Sequence, residues 1–396
     1  MILVHLLVLQ TVWPQILAGR PDFSIFYTAG LILKRGQGHE LYNNALQWRT
    51  QREFASVRVA EGPLPYNHPP FEAILYVPLA FLSYLLAYKL WAALNVLLLA
   101  GILIFLRPNI RHSFAAYPWL PFLATFGFYP MAAGLMQGQD AILLLAVYSL
   151  TYAALRRGKD AQAGMWLGLG LFKFHFVLPF VFILLLLRRL RAVSGFLLSG
   201  VAVAAASLEL VGWRELLYYP RYVWDINRHP PMPVIRPEDM PNLRGLFTGW
   251  TWSSHLAPWP EIGLVVVSLA LLAWAARQWD PANLSDLTSW NNGFSIALVV
   301  TFLVSYHAYT PDMSFLFLPC LLVMEYMMEG CVRRWYGVVL WLCLGALFFS
   351  PLYLVLTLHY SQQHMFALVL LAFVLGLAKW TGSLKTGPPT HDAKIA

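Results

Sequence analysis

The chain has 396 residues, of which 59% are hydrophobic and 12% charged, and its mean hydropathy is +0.59. Soluble domains usually carry about 25% charged residues, so this composition excludes an ordinary soluble globule and a disordered or fibrous chain. The formal net charge is +8, and the basic residues form short clusters between apolar runs, as in Arg156–Lys159, Arg188–Arg191 and the pair Arg333 and Arg334. Such clusters mark cytoplasmic loops of membrane proteins. Membrane topology therefore explains the basic charge better than nucleic-acid binding does.

The N-terminal part of the chain predicts one span followed by a polar, surface-lying stretch. The run Met1–Leu17 lacks the basic start and the cleavage site of a signal peptide, so we expect a retained first span. Within the polar stretch 19–67, Phe23–Lys34 and Ala45–Val59 have the amphipathic pattern of helices that lie on a membrane surface. The short apolar run Phe71–Leu82 then predicts an interfacial or re-entrant helix.

Long apolar runs continue along most of the remaining sequence. The predicted segments are Tyr84–Leu106, Tyr117–Leu135, Ala141–Leu155, the half-length runs Ala161–Phe172 and Phe176–Leu187, Val193–Val211, Glu261–Arg277, Gly293–Tyr306, Met313–Met328, Trp335–Leu358 and His364–Lys379. We therefore expect an all-α polytopic membrane domain over residues 1–381, with roughly 10 to 13 membrane segments. The charge clusters place the loops 19–67 and 212–259 on the extracytoplasmic side, and residues 382–396 form a polar tail that we expect to be flexible and cytoplasmic.

Asp22 directly follows the first span, in Gly19-Arg20-Pro21-Asp22-Phe23. A carboxylate held at a membrane surface can act as a general base on a hydroxyl group, provided that it reaches the proton and has a suitable pKa. The alternative is a helix N-cap, a position that Asp favours. The local sequence leaves both interpretations open.

Two further polar segments interrupt apolar runs. Ser305–Asp312 places His307, two tyrosines and Asp312 between two predicted spans, either as a site or as a polar turn in which Asp312 caps the next helix. Gln137-Gly138-Gln139-Asp140 offers amides that can bind sugar hydroxyls, or a helix cap.

Two cations also stand out. Lys173 lies between two apolar half-length runs, close to His175, where a cation is costly unless it meets an anion such as phosphate or snorkels to an interface. Arg244 precedes Gly245 and suits a phosphate or carboxylate contact, or a solvated turn. The sequence contains none of the usual nucleotide or zinc-hydrolase motifs, and the spacing of its three cysteines predicts neither a metal site nor a disulfide framework. We therefore predict no cofactor and assign no metal ligands, and the sequence does not show whether a divalent ion assists.

Several short motifs gain specificity from their order along the chain. They are Asp22 after the first span, Leu41-Tyr42, His68-Pro69-Pro70-Phe71, Pro78-Leu79-Ala80, Gln137-Gly138-Gln139, Ala163-Gly164, Lys173, Pro179, Asn242-Leu243-Arg244-Gly245, and Ser305-Tyr306-His307 before Asp312. In this order the chain resembles the integral-membrane glycosyltransferases of family 87, in the GT-C superfamily, and is similar to the mannosyltransferases of phosphatidylinositol mannoside synthesis. One departure is His68, where many relatives have Tyr before the two prolines.

The resemblance implies a GT-C-like helical bundle in the cytoplasmic membrane, with a site that opens to the extracytoplasmic side. It implies transfer of a hexosyl unit, with mannosyl as one candidate, from a polyprenyl-phosphate donor to a lipid or cell-envelope glycan, with inversion. The residues assigned on this basis are Asp22 and His307 for catalysis, Lys173 and Arg244 for the donor phosphate, and Gln137, Gln139, Asp140, Asp312, His68 and Tyr306 for substrate binding.

Two other functions fit a polytopic membrane protein. The main alternative is a transporter or lipid flippase, although transporters often show internal repeats and charges near the bilayer midplane, whereas here the polar groups gather at the ends of spans. A non-catalytic scaffold would leave Asp22, Lys173 and Asp312 without a role. Membrane lipids are expected partners, and the sequence does not define the oligomeric state.

Overall fold

The computed structural model describes residues 1–19, 21–55, 64–228, 236–251, 258–328 and 335–386. These residues are overwhelmingly helical and contain no β-strand, which confirms the predicted all-α class. The α-helices are α1 (Ile2–Leu17), α2 (Phe23–Lys34), α3 (Asn44–Gln51), α4 (Tyr84–Leu106), α5 (Arg111–Ala116), α6 (Leu120–Gly127), α7 (Tyr129–Gln137), α8 (Ala141–Arg156), α9 (Asp160–Leu169), α10 (Phe174–Leu186), α11 (Leu190–Arg228), α12 (Leu243–Thr251), α13 (Pro258–Gln278), α14 (Leu287–Val304), α15 (Phe317–Met328), α16 (Trp335–Phe348), α17 (Ser350–Val355) and α18 (Phe366–Thr386). Short 3₁₀ segments join several of them, notably Pro70–Tyr76, Gly170–Lys173 and Thr310–Leu316.

Some predicted features lie partly outside the described residues. They are Arg20, the end of the amphipathic run Ala45–Val59, positions 229–235 and 252–257 of the second polar loop, the basic pair Arg333 and Arg334, and the tail from residue 387 onward.

Six helical segments of the described chain are long and apolar enough to cross a membrane. A seventh span results if α16 and the helical stretch after it, which are bent by 63° relative to each other, count as one. Three shorter apolar helices, α1, α2 and α8, accompany them. These segments confirm a polytopic membrane protein. In α14, 78% of the most apolar stretch of 18 residues is buried, so this helix is central. In α13 the corresponding share is 17%, so this helix is peripheral.

The two half-length runs around Lys173 form a helical segment, Asp160–Leu186, that is long and apolar but broken in its middle. Its two ends lie on the same side, because the guanidinium of Arg189 meets the carboxylate of Asp160 at 3.2 Å, so the chain runs inward through α9 and returns through α10. A 3₁₀ turn, Gly170–Lys173, joins α9 to α10. Helix α9 packs very closely on α11, since a Cβ atom at Gly164 would lie 1.8 Å from the carbonyl oxygen of Ala192. Small residues allow such backbone approach between membrane helices. The packing holds α9 in place and leaves Lys173 at the break.

The prediction of one span over Tyr117–Leu135 is wrong. This stretch contains α6 and most of α7, with the chain extended at Tyr117 and Phe128 between the helices. Pro121 and Pro130 stand in the first turns of α6 and α7. Proline is tolerated in a first helical turn but breaks a helix interior, so the prolines divide the apolar run.

Helix α11 extends further than predicted. The predicted end at Val211 coincides with a kink at Gly212, which has a φ of 80°. Beyond the kink the helix continues to Arg228, through the beginning of the predicted second loop. Tyr219 in this extension donates a hydrogen bond to the carbonyl oxygen of Asn67, so the extension braces the segment that carries His68.

Two hydrophobic clusters form the interior. The smaller one contains Phe23, Phe26 and Tyr76 and includes parts of α2, α4 and the extension of α11. The larger one contains Phe176 and Phe315 and is built from the helices between α4 and α18. Because Asp22 adjoins the first cluster and Lys173 the second, the polar residues singled out in the sequence lie where the two clusters meet.

Candidate active site

Asp22 stands at the junction between α1 and α2. It occupies the N-cap position of α2, yet its side chain makes no capping hydrogen bond. Instead, its Oδ2 atom accepts a hydrogen bond of 2.5 Å from Nε2 of Gln139. The residue is partly exposed. The sequence left open whether Asp22 acts as a general base or as a helix N-cap. Its side chain does not cap α2 in the structure.

The turn that carries Gln139 is fitted tightly against α2 and α4. Gly138 has a left-handed φ of 65°, and a Cβ atom there would lie 2.7 Å from Cβ of Phe23. Tyr88 donates a hydrogen bond to the carbonyl oxygen of Met136, and the indole N–H of Trp91 donates one to that of Gly138. These contacts place Gln139 beside Asp22.

Lys173 is buried among three oxygen atoms. Its Nζ atom lies 2.8 Å from Oδ1 of Asp140, 2.6 Å from Oδ1 of Asp312 and 3.5 Å from Oε1 of Gln139. The contacts with Asp312 and Gln139 are hydrogen bonds, and the contact with Asp140 is an ion pair. The residue is only 4% exposed. Lys173 therefore meets anions and does not snorkel, and the anions are carboxylates of the chain itself.

This arrangement also orients the amide of Gln139. Its Oε1 atom faces the ammonium of Lys173, so its Nε2 atom faces the carboxylate of Asp22. A chain of polar contacts thus connects Asp22 with Lys173.

Asp312 serves as a cap and as an ion-pair partner at once. Its Oδ2 atom accepts a hydrogen bond of 2.8 Å from the backbone N–H of Tyr309 at the start of the Thr310–Leu316 segment. Its Oδ1 atom contacts Lys173. The cap interpretation of this residue therefore holds, and both carboxylate oxygens are engaged.

His68 faces two buried carboxylates. Its Nδ1 atom lies 2.7 Å from Oε2 of Glu72 and 3.5 Å from Oδ2 of Asp140. Glu72 and Asp140 are each 0% exposed. The ligand atoms of these three residues lie within 4.8 Å of one another, so they are the described residues that could hold a metal ion. The predicted site did not include Glu72; its position four residues after His68, at the start of an apolar run, was the available signal.

His307 and His175 face each other near Lys173. Their ring centroids are 5.9 Å apart at an interplanar angle of 82°. Burial lowers the pKa of His307 to about 4, with Asp312 opposing the shift and Arg244 and Lys173 adding to it. His307 is therefore neutral at pH 7 and can exchange hydrogen bonds, but it is not a cation there. Its Nδ1 atom is buried and accepts or donates no hydrogen bond among the described residues.

Arg244 lies over the exposed ring of Tyr306. The guanidinium carbon is 3.9 Å from the ring centroid, and Nη1 donates a hydrogen bond of 3.0 Å to the carbonyl oxygen of Tyr306. Asn242 donates a hydrogen bond of 2.6 Å to the carbonyl oxygen of Ser305. These bonds join the Asn242–Gly245 motif to the Ser305–Asp312 segment.

Gln137 is the predicted site residue that the structure keeps apart. It is exposed at the end of α7, and no side-chain hydrogen bond joins it to the polar cluster in the described part of the chain.

The protein environment shifts the acidities of the cluster in opposite directions. Burial raises the pKa of Asp22, although the hydrogen bond from Gln139 and the charge of Lys173 act against it. Burial also raises the pKa of Glu72 to about 8, with His68 opposing. For Asp140 burial acts in the same direction, but Lys173 and His68 outweigh it and the pKa falls below its usual value. Separation of acidities within one cluster is typical of catalytic sites.

A comparison with protein families gives a match. The family described as glycosyltransferase family 87 matches residues 66–305, more than half of the chain. The matched region includes His68, Asp140, Lys173 and Arg244 and leaves Asp22 before it. Comparisons with curated proteins and with solved structures found no match.

Proposed function

The chain belongs to glycosyltransferase family 87, and from this premise we propose that it moves a hexosyl unit from a polyprenyl-phosphate donor to a lipid or cell-envelope glycan, with inversion. Mannose is the candidate sugar. The family match favours a transferase over the transporter or lipid-flippase alternative. The observation that carries the proposal is Asp22, a partly exposed carboxylate whose one described hydrogen bond comes from Gln139.

In the proposed reaction, Asp22 accepts the proton of the acceptor hydroxyl. The hydroxyl oxygen forms a bond to the anomeric carbon of the donor sugar, on the face opposite to the phosphate. The bond between that carbon and the phosphate oxygen breaks, and polyprenyl phosphate leaves with the electron pair. The reaction is a displacement at one carbon, so a base and a stabilised leaving group suffice.

Arg244 is the better placed of the two cations for the donor phosphate. It uses one N–H group for the carbonyl oxygen of Tyr306 and has further N–H groups for an anion. Lys173 would have to exchange one of its present acceptors for a phosphate oxygen. We therefore propose that Lys173 orients the amide of Gln139, which in turn orients the carboxylate of Asp22. We propose that His307, in its neutral form, makes a hydrogen bond to a sugar or phosphate oxygen.

The helix ends support an extracytoplasmic site. Helices α8 and α10 begin beside the cluster, after Asp140 and Lys173, and they lead to the basic residues Arg156–Lys159 and Arg188–Arg191 at their other ends. Basic loops stay in the cytoplasm. The polar cluster would then face the outer side of the cytoplasmic membrane, where lipid-linked sugars are accessible.

The test is sugar transfer by the Asp22→Asn variant. Membranes that contain the full chain are incubated with radiolabelled polyprenyl-phosphate mannose or glucose, and labelled lipid and glycan products are separated. Asn cannot take the proton, so we expect the rate to fall by about 10²-fold or more with unchanged expression. The matched control is Asp225→Asn, because Asp225 is exposed and forms, in the described part of the chain, an ion pair with Arg221 at 3.7 Å, away from the cluster. Wild-type rates in Asp22→Asn would remove Asp22 as the base, and transfer from neither donor by the wild type would overturn the proposed substrate class.

A further inference from the structure

We propose that His68, Glu72 and Asp140 form a binding site for one divalent cation beside Lys173. The site is a property of these side chains, so it does not rest on the proposed reaction. It includes Oδ2 of Asp140, whereas Lys173 contacts Oδ1 of the same carboxylate.

The ligand atoms already stand close to a coordinating arrangement. Nδ1 of His68 is 2.7 Å from Oε2 of Glu72 and 3.5 Å from Oδ2 of Asp140. Neighbouring ligands of a metal bound at about 2.0–2.2 Å are roughly 3 Å apart. All three ligand atoms lie within 4.8 Å of one another, so side-chain movements below about 2 Å would complete the arrangement. The three residues come from two short segments, because His68 and Glu72 are four residues apart and Asp140 precedes α8.

The second observation is that Glu72 has no directed donor. The residue is 0% exposed, and neither of its carboxylate oxygens accepts a hydrogen bond from a described residue. Its contact with His68 is close in distance but does not have hydrogen-bond geometry. A buried carboxylate without donors is costly, so without a cation nearby the group keeps its proton. A cation that uses these oxygens as ligands removes that cost.

Asp140 can serve the lysine and the ion together. Its Oδ1 atom lies 2.8 Å from Nζ of Lys173, and its Oδ2 atom points to His68. Lys173 is shared between Asp140 and Asp312, so it does not neutralise Glu72. The side chain of Asp140 therefore separates the ammonium from the ion.

The ligand set indicates which ions fit. One imidazole nitrogen and two carboxylates suit Mn²⁺ or Zn²⁺, and less well the all-oxygen preference of Ca²⁺ and Mg²⁺. His68 is the partly exposed member of the site, with 15% of its side chain accessible. Entry would therefore pass the imidazole.

The first experiment measures Mn²⁺ binding to the purified full chain in detergent after treatment with a chelator. The six-line paramagnetic resonance signal of free Mn²⁺ gives the bound fraction. We expect one Mn²⁺ per chain, and Glu72→Gln should weaken binding by about tenfold or more, since even outer ligand partners contribute this much. Glu209→Gln is the matched control, because Glu209 is an exposed carboxylate of α11 that lies outside the cluster.

The second experiment leaves Glu72 and Asp140 unchanged. Electron spin-echo modulation of the bound Mn²⁺ should show an imidazole nitrogen in the wild type, and His68→Gln should remove it. The proposal is overturned if the wild type binds no Mn²⁺, if the bound ion shows no nitrogen, or if Glu209→Gln loses as much affinity as Glu72→Gln. In each of these cases the three side chains share protons and not an ion.

Discussion

The surroundings of the Asp22 carboxylate determine the pH at which it can act as a base. Burial raises its pKa, and the hydrogen bond from Gln139 lowers it in part. A carboxylate acts as a base only when it is ionised. We therefore expect kcat/KM to be low at pH values below this raised pKa and to increase as the pH rises through it. We expect the acidic limb of the pH–rate profile to lie above the value of about 4 that is typical of an exposed aspartate.

Replacing Gln139 tests this electrostatic balance. Gln139→Leu removes the donor that stabilises the ionised form of Asp22, so the acidic limb should move to higher pH by roughly one unit. The measurement is kcat/KM for sugar transfer between pH 4 and 8. Gln137→Leu, the same change two residues away at an exposed position, should leave the limb where it is. A limb that stays in place in Gln139→Leu would show that Asp22 does not control it.

Single residues were predicted well where charge conflicts with an apolar context. Asp22, Lys173 and Asp312 stand out in the sequence because each interrupts or borders a membrane segment, and the structure brings all three into one connected cluster. Their partners were not predictable in the same way. That Lys173 is shared between Asp140 and Asp312 depends on how four chain segments pack, which no local pattern encodes.

At the scale of elements, the turn between α7 and α8 controls how close Gln139 comes to Asp22. Gly138→Ala places a side chain at a φ of 65° and, in addition, 2.7 Å from Cβ of Phe23. The backbone strain should lower stability by about 1–2 kcal/mol. The forced movement of the turn should lower kcat by about tenfold or more, because small misplacements of catalytic groups are costly.

Gly158→Ala separates these two effects. Gly158 has nearly the same φ, 66°, but no atom lies within 4 Å of its added Cβ. Thermal unfolding should therefore show a similar loss of stability in both variants, and transfer assays should show lost activity only in Gly138→Ala. Equal activities would mean that the fit of the turn against Phe23 is not needed for catalysis.

The elements show where sequence patterns lose information. Phe23–Lys34 has the predicted bounds, because both ends are marked by polar residues. The run Tyr117–Leu135 looked like one span because hydropathy averages over prolines that in fact start new helices. The half-length runs around Lys173 are each too short to cross a membrane alone. The return of α10 toward the start of α9 depends on long-range contacts, namely the ion pair of Arg189 with Asp160 and the close packing of α9 on α11.

For the whole molecule, the arrangement of helix ends makes a prediction about sidedness. A cysteine at Tyr306, which is 49% exposed, should react with a membrane-impermeant maleimide in right-side-out vesicles. A cysteine at Arg157, exposed in the basic turn between α8 and α9, should react only after permeabilisation. The native cysteines are first replaced by serine. Labelling of Arg157→Cys and protection of Tyr306→Cys would invert the proposed topology.

The fold class was predictable from composition alone, and the meeting of the two hydrophobic clusters was not. Long apolar runs specify membrane helices through length and hydropathy. Which helices are neighbours depends on close approaches such as that of Gly164 to Ala192. The sequence shows these small residues but not their partners.

The ion pairs of Lys173 also bear on how the chain enters the membrane during synthesis. Asp312 is 139 residues downstream of Lys173, so it leaves the ribosome long after the helices α9 and α10 have reached the translocon. Asp140 comes earlier in the chain and can accompany the lysine from the start. A nascent chain thus carries its counter-ion into the bilayer ahead of the cation, and the second carboxylate joins only when the last third of the protein has been translated.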